Sequence, residues 1–140
     1  MKILLLLCLV PFVCAQGRLE EKELGQFSYY EQECIKELHS DKEMLTEGLK
    51  QLYMPENNPD FNAFMECAWK KDGFIDGYGN IIYERFHFYV QGAHMDAVGI
   101  RELAEAFAED VINHCKEVRG DTPGQTGVKL MNCILHRLYA

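Results

Sequence analysis

The segment Asn58–Ile81, NPDFNAFMECAWKKDGFIDGYGNI, decides the fold class. Asn58 followed by Pro59 is a typical helix N-cap and first helical residue. Apolar side chains then recur every three or four residues, which is the spacing of one buried helix face: Phe61, Phe64, Met65, Ala68 and Trp69. Asp72-Gly73 and two further glycines mark a turn. The segment therefore predicts an amphipathic helix followed by a turn-rich loop.

Helical spacing also precedes this segment. A first helix is predicted within Leu19–Leu38, with Phe27, Tyr30, Cys34 and Leu38 inward. Ser40 and Glu43 have the spacing of a capping box and predict the start of a second helix, which Pro55 should end. The inward residues of this second helix are predicted to be Leu45, Leu49, Leu52 and Tyr53.

Three more helices are predicted after the loop. Asn80 should cap the fourth, which Gly92 should close, and Asp96 should cap the fifth. The last is expected to run from Gln125 or Thr126 to Tyr139 and, being apolar on two sides, to lie in the middle of the bundle. The predicted inward stripe of the fifth helix is Ile100, Leu103, Phe107, Val111 and Cys115. No stretch shows strand alternation, so the predicted fold is all-α with six helices.

Composition limits the classes of function. The chain has 140 residues, a hydrophobic content of 48% and a net charge of −8. The length fits one domain, and the aromatic content of 11% argues against disorder. Because nucleic-acid binding relies on basic surface, an acidic chain is not expected to bind nucleic acid.

The N-terminus resembles a secretory leader. Lys2 precedes a short apolar run that ends in Cys14-Ala15, a small-residue exit of the kind that signal peptidase accepts. The run is shorter than the ~20 residues of a membrane span. We therefore expect residues 1–15 to be a signal peptide, residues 16–140 to form one domain, and the product to be secreted without a membrane span.

Four cysteines remain after such a cleavage, namely Cys34, Cys67, Cys115 and Cys133. An even number in an oxidising compartment predicts two disulfides, and the count alone allows three connectivities. The closest two are separated by 17 residues, whereas zinc sites usually contain a tight pair. No metal and no other cofactor are expected.

The cysteine spacing resembles that of the insect odorant-binding proteins, specifically their four-cysteine "minus-C" subgroup. Members typically carry six cysteines, and counting back by the family spacing places the two missing ones at Ala63 and Gly124. The segment CAWKKDGFIDGYGNI and the 17-residue gap between Cys115 and Cys133 also match. The resemblance covers essentially all of residues 16–140.

This resemblance implies a fold, a pairing and a role. The implied bonds are Cys34–Cys67 and Cys115–Cys133, within six helices around an internal apolar cavity. The implied role is to carry small hydrophobic molecules, such as odorants or pheromones, through extracellular fluid. An olfactory receptor is the implied partner. The protein is expected to be a monomer or a weak homodimer. The alternative is a non-olfactory carrier of lipids, hormones or amines in saliva, haemolymph or reproductive fluid. Without a third bridge, the cavity wall is expected to be looser.

The predicted ligand-binding residues are bulky or flexible inward positions of the later helices: Phe64, Met65, Ala68, Phe86, Tyr89, Phe107, Val111, Met131, Leu135 and Leu138. Each could equally be plain core, because apolar residues at helical spacing serve both purposes. Hydroxyl groups for a polar ligand end could come from Tyr83, Tyr89 or Tyr139.

An enzyme is not predicted. No GxSxG elbow is present, and the loop DGFIDGYGNIIYE lacks the oxygen ligands of an EF-hand at two required positions. A remaining alternative is an interaction module that engages a receptor through its acidic surface and carries little ligand.

Overall fold

Six α-helices joined by loops form the described part of the protein. The computed structural model describes residues 26–140, with these helices: α1 Tyr29–Leu38, α2 Lys42–Lys50, α3 Pro59–Asp72, α4 Tyr83–Val98, α5 Arg101–Cys115 and α6 Pro123–Tyr139. Within this range the β-type pairing consists of an isolated bridge between Ile75 and Ile81. The prediction of an all-α protein with six helices is confirmed. The predicted signal peptide and the start of the first predicted helix lie outside the described residues.

Helix α3 forms as the deciding segment predicts. The Asn58 side-chain oxygen accepts the backbone N–H groups of Asp60 and Phe61, each at 3.1 Å, and Pro59 occupies the first turn. Gly73 ends the helix with φ 87°, a left-handed conformation that glycine adopts without a steric penalty. All five predicted inward residues of this helix are buried.

The first two helices differ from the prediction at their ends. The capping box belongs to α1, where Ser28 and Glu31 exchange side-chain and backbone hydrogen bonds. Helix α2 is capped by Asp41 and not by Ser40, because the Asp41 carboxylate accepts two backbone N–H groups. It ends at Lys50, five residues before Pro55, so the residues in between form a loop.

The predicted boundaries of the fourth and fifth helices are wrong. Helix α4 has no side-chain cap and starts after Ile82, because the Asn80 side chain is bonded to Asp76 in the preceding turn. It continues through Gly92 and ends at Val98, where Gly99 follows as the cap residue with φ 71°. The proposed cap of the fifth helix, Asp96, therefore lies within α4. Gly92 is tolerated because tertiary packing outweighs its weak helix propensity.

Helix α6 starts slightly earlier than predicted and lies against two neighbours. Thr122 caps it by accepting the Gln125 backbone N–H at 3.1 Å, and Pro123 is in the first turn. The helix packs on both α3 and α5, which accounts for its two apolar sides. The remaining extensive contacts join α4 to α5 and α1 to α3.

Several residues predicted to point inward are exposed instead: Tyr30, Leu38, Leu49, Leu52, Ile100 and Leu103. Most of them lie in the first or last turn of a helix or beyond its end. Helical periodicity identifies the face on which a side chain lies but not whether the core extends to that end of the helix. The buried core is formed instead mainly by other residues of the helices, together with Phe27 and Ile75 from the adjoining loops.

Two disulfides join the helices. Cys34 is bonded to Cys67, which links α1 to α3, and Cys115 is bonded to Cys133, which links α5 to α6. Of the three connectivities allowed by the cysteine count, this is the one that the family resemblance implies. No helix in the described range has the combination of length and apolarity needed to cross a membrane.

Candidate functional site

The ten predicted ligand-binding residues divide into two groups. Six of them are buried in the core of the described structure: Phe64, Met65, Ala68, Phe86, Val111 and Met131. Phe86 illustrates the density of this packing, because its ring lies edge-on to both Trp69 and Phe74, with centroid distances of 5.8 and 4.9 Å. These six side chains stabilise the bundle whether or not any of them also contacts a ligand.

The other four remain partly accessible and lie on three helices. Tyr89 is on α4, Phe107 is on α5, and Leu135 and Leu138 are on the C-terminal half of α6. Tyr89 is 41% exposed, and the other three are half-buried. Leu103, one turn before Phe107, and the terminal Tyr139 are also exposed. We call these six residues the α4–α6 apolar surface.

The three helices that carry this surface are held together by specific contacts. The rings of His94 on α4 and Phe107 on α5 stack with a centroid distance of 4.0 Å. Arg137 on α6 donates a 2.7 Å hydrogen bond to the Asp110 carboxylate on α5. The Cys115–Cys133 disulfide joins the same two helices. A disulfide and an ion pair thus join α5 to α6, and a ring stack joins α4 to α5.

Of the three tyrosines considered as polar contacts, Tyr83 is already engaged. Its hydroxyl donates to the Lys116 backbone carbonyl at 3.2 Å, which ties α4 to the C-terminus of α5. Burial raises the pKa of the Tyr89 phenol, and the nearby Tyr139 raises it further. The Tyr89 hydroxyl therefore stays protonated at physiological pH and is able to donate a hydrogen bond.

Clefts outlined by the described residues lie at the surface and have volumes of about 350 to 470 Å³. None of these clefts is lined by any of the ten predicted ligand-binding residues. The cleft of about 350 Å³ lies between α3 and the start of α6, where Ala63 forms part of its wall. The internal apolar cavity implied by the resemblance is not one of these surface clefts.

Helices α3 and α6 approach closely at the two positions where the family pattern would place cysteines. Gly124 lies so near α3 that an added Cβ would be 2.2 Å from the Asn62 carbonyl oxygen. Its backbone N–H donates to the Glu66 carboxylate at 3.0 Å, and Lys70 pairs with the other oxygen of that carboxylate at 3.0 Å. A glycine contact and a hydrogen bond therefore hold the helices together at this point.

Sequence patterns did not identify the polar residues that fix the loop between α2 and α3. The buried Asn132 side chain accepts the Met54 N–H at 2.8 Å and donates to the Met54 carbonyl at 2.8 Å and to the Glu56 carboxylate at 2.9 Å. Gln125 donates to the Glu56 carbonyl at 2.8 Å. The one sequence signal for these hydrogen bonds is that Asn132 lies on an apolar side of the predicted last helix.

One group of possible metal ligands occurs among the described residues, formed by Cys34, Glu37 and Cys67. The two sulfur atoms are joined in a disulfide, so they offer no thiolate to a metal. This group is therefore a structural cross-link with an adjacent carboxylate.

The comparisons with known proteins agree with this architecture. The model of the PBP/GOBP family matches residues 16–137. Comparison with curated proteins found no match, and comparison with solved structures found none either. The family is one of binding proteins and not of enzymes, in agreement with the prediction from the sequence. The chain, with its disulfide-linked helices and matched over almost its full length, belongs to the PBP/GOBP family, the insect odorant-binding proteins.

Proposed function

We propose that this protein is a secreted carrier that binds small hydrophobic molecules, such as odorants or pheromones, on the α4–α6 apolar surface and transports them through extracellular fluid. The observation that carries this proposal is the set of partly exposed apolar side chains on three helices, of which α5 and α6 are joined by a disulfide. Large apolar side chains that stay accessible on neighbouring helices are typical of binding surfaces. Family membership supports the carrier role.

Burial of the ligand supplies the free energy of binding in this proposal. A chain of about ten carbons gains on the order of 8 kcal/mol at ~0.8 kcal/mol per methylene. Several kcal/mol are lost in restricting its motion, so dissociation constants in the micromolar range are expected. Donation from the Tyr89 hydroxyl would favour alcohols, aldehydes and esters over alkanes.

The test measures how 1-decanol displaces the fluorescent probe N-phenyl-1-naphthylamine from the protein. The wild-type protein is compared with the variants Leu135→Gln and Leu138→Gln. Each substitution places an amide on the α4–α6 apolar surface and should raise the decanol dissociation constant at least tenfold. Leu49→Gln is the matched control, since Leu49 is a comparably exposed leucine on α2, outside this surface. If the control and the two variants bind decanol equally well, the proposed location is wrong.

We also propose that residues 1–15 are a signal peptide and that the mature chain begins at Gln16. N-terminal sequencing of the protein from culture medium of expressing insect cells should read QGRLEE. Retention of the full chain inside the cells would contradict this proposal.

Delivery of the ligand to an olfactory receptor, and a monomeric or weakly homodimeric state, complete the proposed role. Sedimentation equilibrium of the oxidised protein should give the mass of one chain at low concentration. A stable higher oligomer at that concentration would contradict the proposed state. Delivery is tested by measuring the response of the receptor to decanol with and without this protein. If the protein delivers the ligand, the response should be larger when the protein is present.

A further inference from the structure

We propose that the loop between α5 and α6 is a docking site for a cell-surface adhesion receptor that binds Arg-Gly-Asp sequences through a divalent cation. This loop contains such a triplet, Arg119-Gly120-Asp121. A carboxylate is a natural oxygen ligand for a divalent cation, and a guanidinium group pairs with acidic side chains through two parallel hydrogen bonds. The proposal goes beyond the carrier role, because it requires the proposed secretion but not the α4–α6 apolar surface.

The Asp121 carboxylate is free to bind a cation. The residue is exposed, and its carboxylate makes no hydrogen bond or ion pair within the described part of the chain. The backbone at this position is fixed, because its N–H donates to the Gln125 side-chain oxygen at 2.6 Å and the next residue, Thr122, caps α6. Since the backbone is already ordered, binding costs only the freedom of one short side chain.

Arg119 is positioned by one part of its guanidinium group, and the other part remains unpaired. The residue is exposed, and its Nη1 atom donates to the Val118 carbonyl at 2.7 Å and to the Lys116 carbonyl at 2.8 Å. Its Nε and Nη2 atoms have no acceptor among the described residues. These two atoms form one side of the guanidinium fork, which matches the two oxygens of a carboxylate. The positioned side chain therefore keeps a donor pair for an acidic group of the receptor.

Gly120 allows the loop to lie against the start of α6. A Cβ added at this position would be 2.8 Å from the Gln125 side chain. The Gly120 N–H donates to the Thr126 hydroxyl at 2.9 Å. The Cys115–Cys133 disulfide joins the last residue of α5, before the loop, to α6. Both ends of the loop are thus tied to α6, which reduces the entropy lost on docking.

A neighbouring turn adds an exposed aromatic ring. Tyr78 is 94% exposed, and the Asp76 carboxylate closes its turn by accepting the N–H groups of Tyr78 and Asn80, each at 2.9 Å. The turn contacts the start of α6, because a Cβ added at Gly79 would lie 2.9 Å from the Pro123 side chain. The turn and the loop also line one surface cleft of about 420 Å³. Tyrosine is enriched among the residues that anchor protein interfaces, so the ring adds a contact for a receptor that covers both segments.

The divalent cation in this proposal is carried by the receptor. A cation held by this protein alone would need several oxygen ligands. Among the described residues, the one group of three possible metal ligands consists of Cys34, Glu37 and Cys67 and does not include Asp121. Asp121 therefore supplies a single ligand, which completes the coordination of an ion that the receptor already binds.

The experiment measures the attachment of cultured insect cells to wells coated with the oxidised protein in buffer containing Mg²⁺. The cells are chosen because they spread on the immobilised peptide GRGDSP. Asp121→Glu keeps the charge but moves the carboxylate by one methylene, and it should raise the coating concentration for half-maximal attachment at least tenfold. Arg119→Lys, which loses the guanidinium fork, should act in the same direction. Asp96→Glu is the matched control and should leave attachment unchanged, since Asp96 is exposed and lies on α4, outside the loop.

Soluble GRGDSP should abolish attachment, whereas GRGESP should not. Removal of Mg²⁺ with EDTA should also abolish it, and wells coated with polylysine check that the treated cells still attach. Three results would overturn the proposal: no attachment to the wild-type protein, attachment that survives EDTA or GRGDSP, or equal attachment to Asp121→Glu and Asp96→Glu.

Two further measurements separate docking from folding and from the carrier role. Circular dichroism should show an unchanged fold for Asp121→Glu, because the carboxylate has no partner in the described part of the chain. This variant should also bind N-phenyl-1-naphthylamine as the wild-type protein does. Loss of attachment with unchanged probe binding supports the docking site, whereas failure of the wild-type protein to bind the probe counts only against the carrier proposal.

Discussion

The close contact between α3 and α6 predicts that one glycine-to-alanine change destabilises the protein while another stabilises it. An alanine Cβ at position 124 would lie 2.2 Å from the Asn62 carbonyl oxygen. The ordinary separation of carbon and oxygen in such a contact is about 3.3 Å. The obstacle is backbone, which cannot rotate away as a side chain can, so Gly124→Ala should force the two helices apart by about 1 Å.

Two opposing terms set the size of the effect. Overpacking of this kind costs about 1–3 kcal/mol, and the displacement also weakens the hydrogen bond from the Gly124 N–H to Glu66. Alanine restores at most about 1 kcal/mol of helix propensity. The net loss of unfolding free energy should therefore be about 1–2 kcal/mol, which lowers the melting temperature by roughly 4–8 °C for a domain of this size.

Gly92→Ala is the matched control for this substitution. Gly92 lies inside α4, and nothing would lie within 4 Å of an added Cβ. Only the propensity term remains, so this variant should gain about 0.5–1 kcal/mol. Urea unfolding followed by circular dichroism at 222 nm and by the fluorescence of Trp69, the single tryptophan, measures both changes. A Gly124→Ala protein as stable as Gly92→Ala would refute the close approach of α3 and α6.

Three further predictions concern other parts of the fold. Replacing both cysteines of one bridge by serine should lower the unfolding free energy by about 4 kcal/mol for Cys34–Cys67 and by about 3 kcal/mol for Cys115–Cys133. The first loss is larger because that bridge closes the longer loop, with a sequence separation of 33 against 18. The urea midpoints of the two variants check this order. Asn132→Ala should lower the unfolding free energy by about 2–4 kcal/mol, because the α2–α3 loop loses three hydrogen bonds to this side chain. Asn113→Ala, at an exposed position, is the control and should change the unfolding free energy little. Hydrogen bonds from Asn80 and the neighbouring backbone hold the pKa of the Asp76 carboxyl below its ordinary 3.8. The small stability that Asp76 contributes is therefore present above pH 3.8 and is lost as the pH falls through the lower pKa of the folded state. A ¹³C NMR titration that gives a carboxyl pKa of 3.8 or more would contradict this.

The sequence predicts the elements better than it predicts their ends. The Asn58-Pro59 start and the apolar periodicity of α3 are strong local signals, and the structure confirms both. Gly92 and Asp96 are also strong local signals, but they predict a break where α4 continues. The packing of α4 along α5 outweighs the local propensity of these two residues, and a single sequence does not contain that information.

The candidate site shows the same limit. Periodicity predicts that Phe86 and Tyr89 point toward the interior, but Phe86 is buried while Tyr89 is 41% exposed. Which inward residue becomes core and which remains accessible depends on the ends of neighbouring helices. The cleft near Ala63 depends on the pairing of α3 with α6, which joins segments about 60 residues apart, and no local pattern predicts it.

The most direct test of the account is to locate a bound ligand by NMR. A saturating amount of ¹³C-labelled 1-decanol should give intermolecular nuclear Overhauser effects to the methyl groups of Leu135 and Leu138 and to the ring protons of Phe107. Contacts confined to other residues, or binding that does not saturate, would contradict the assignment of the α4–α6 apolar surface as the carrier site.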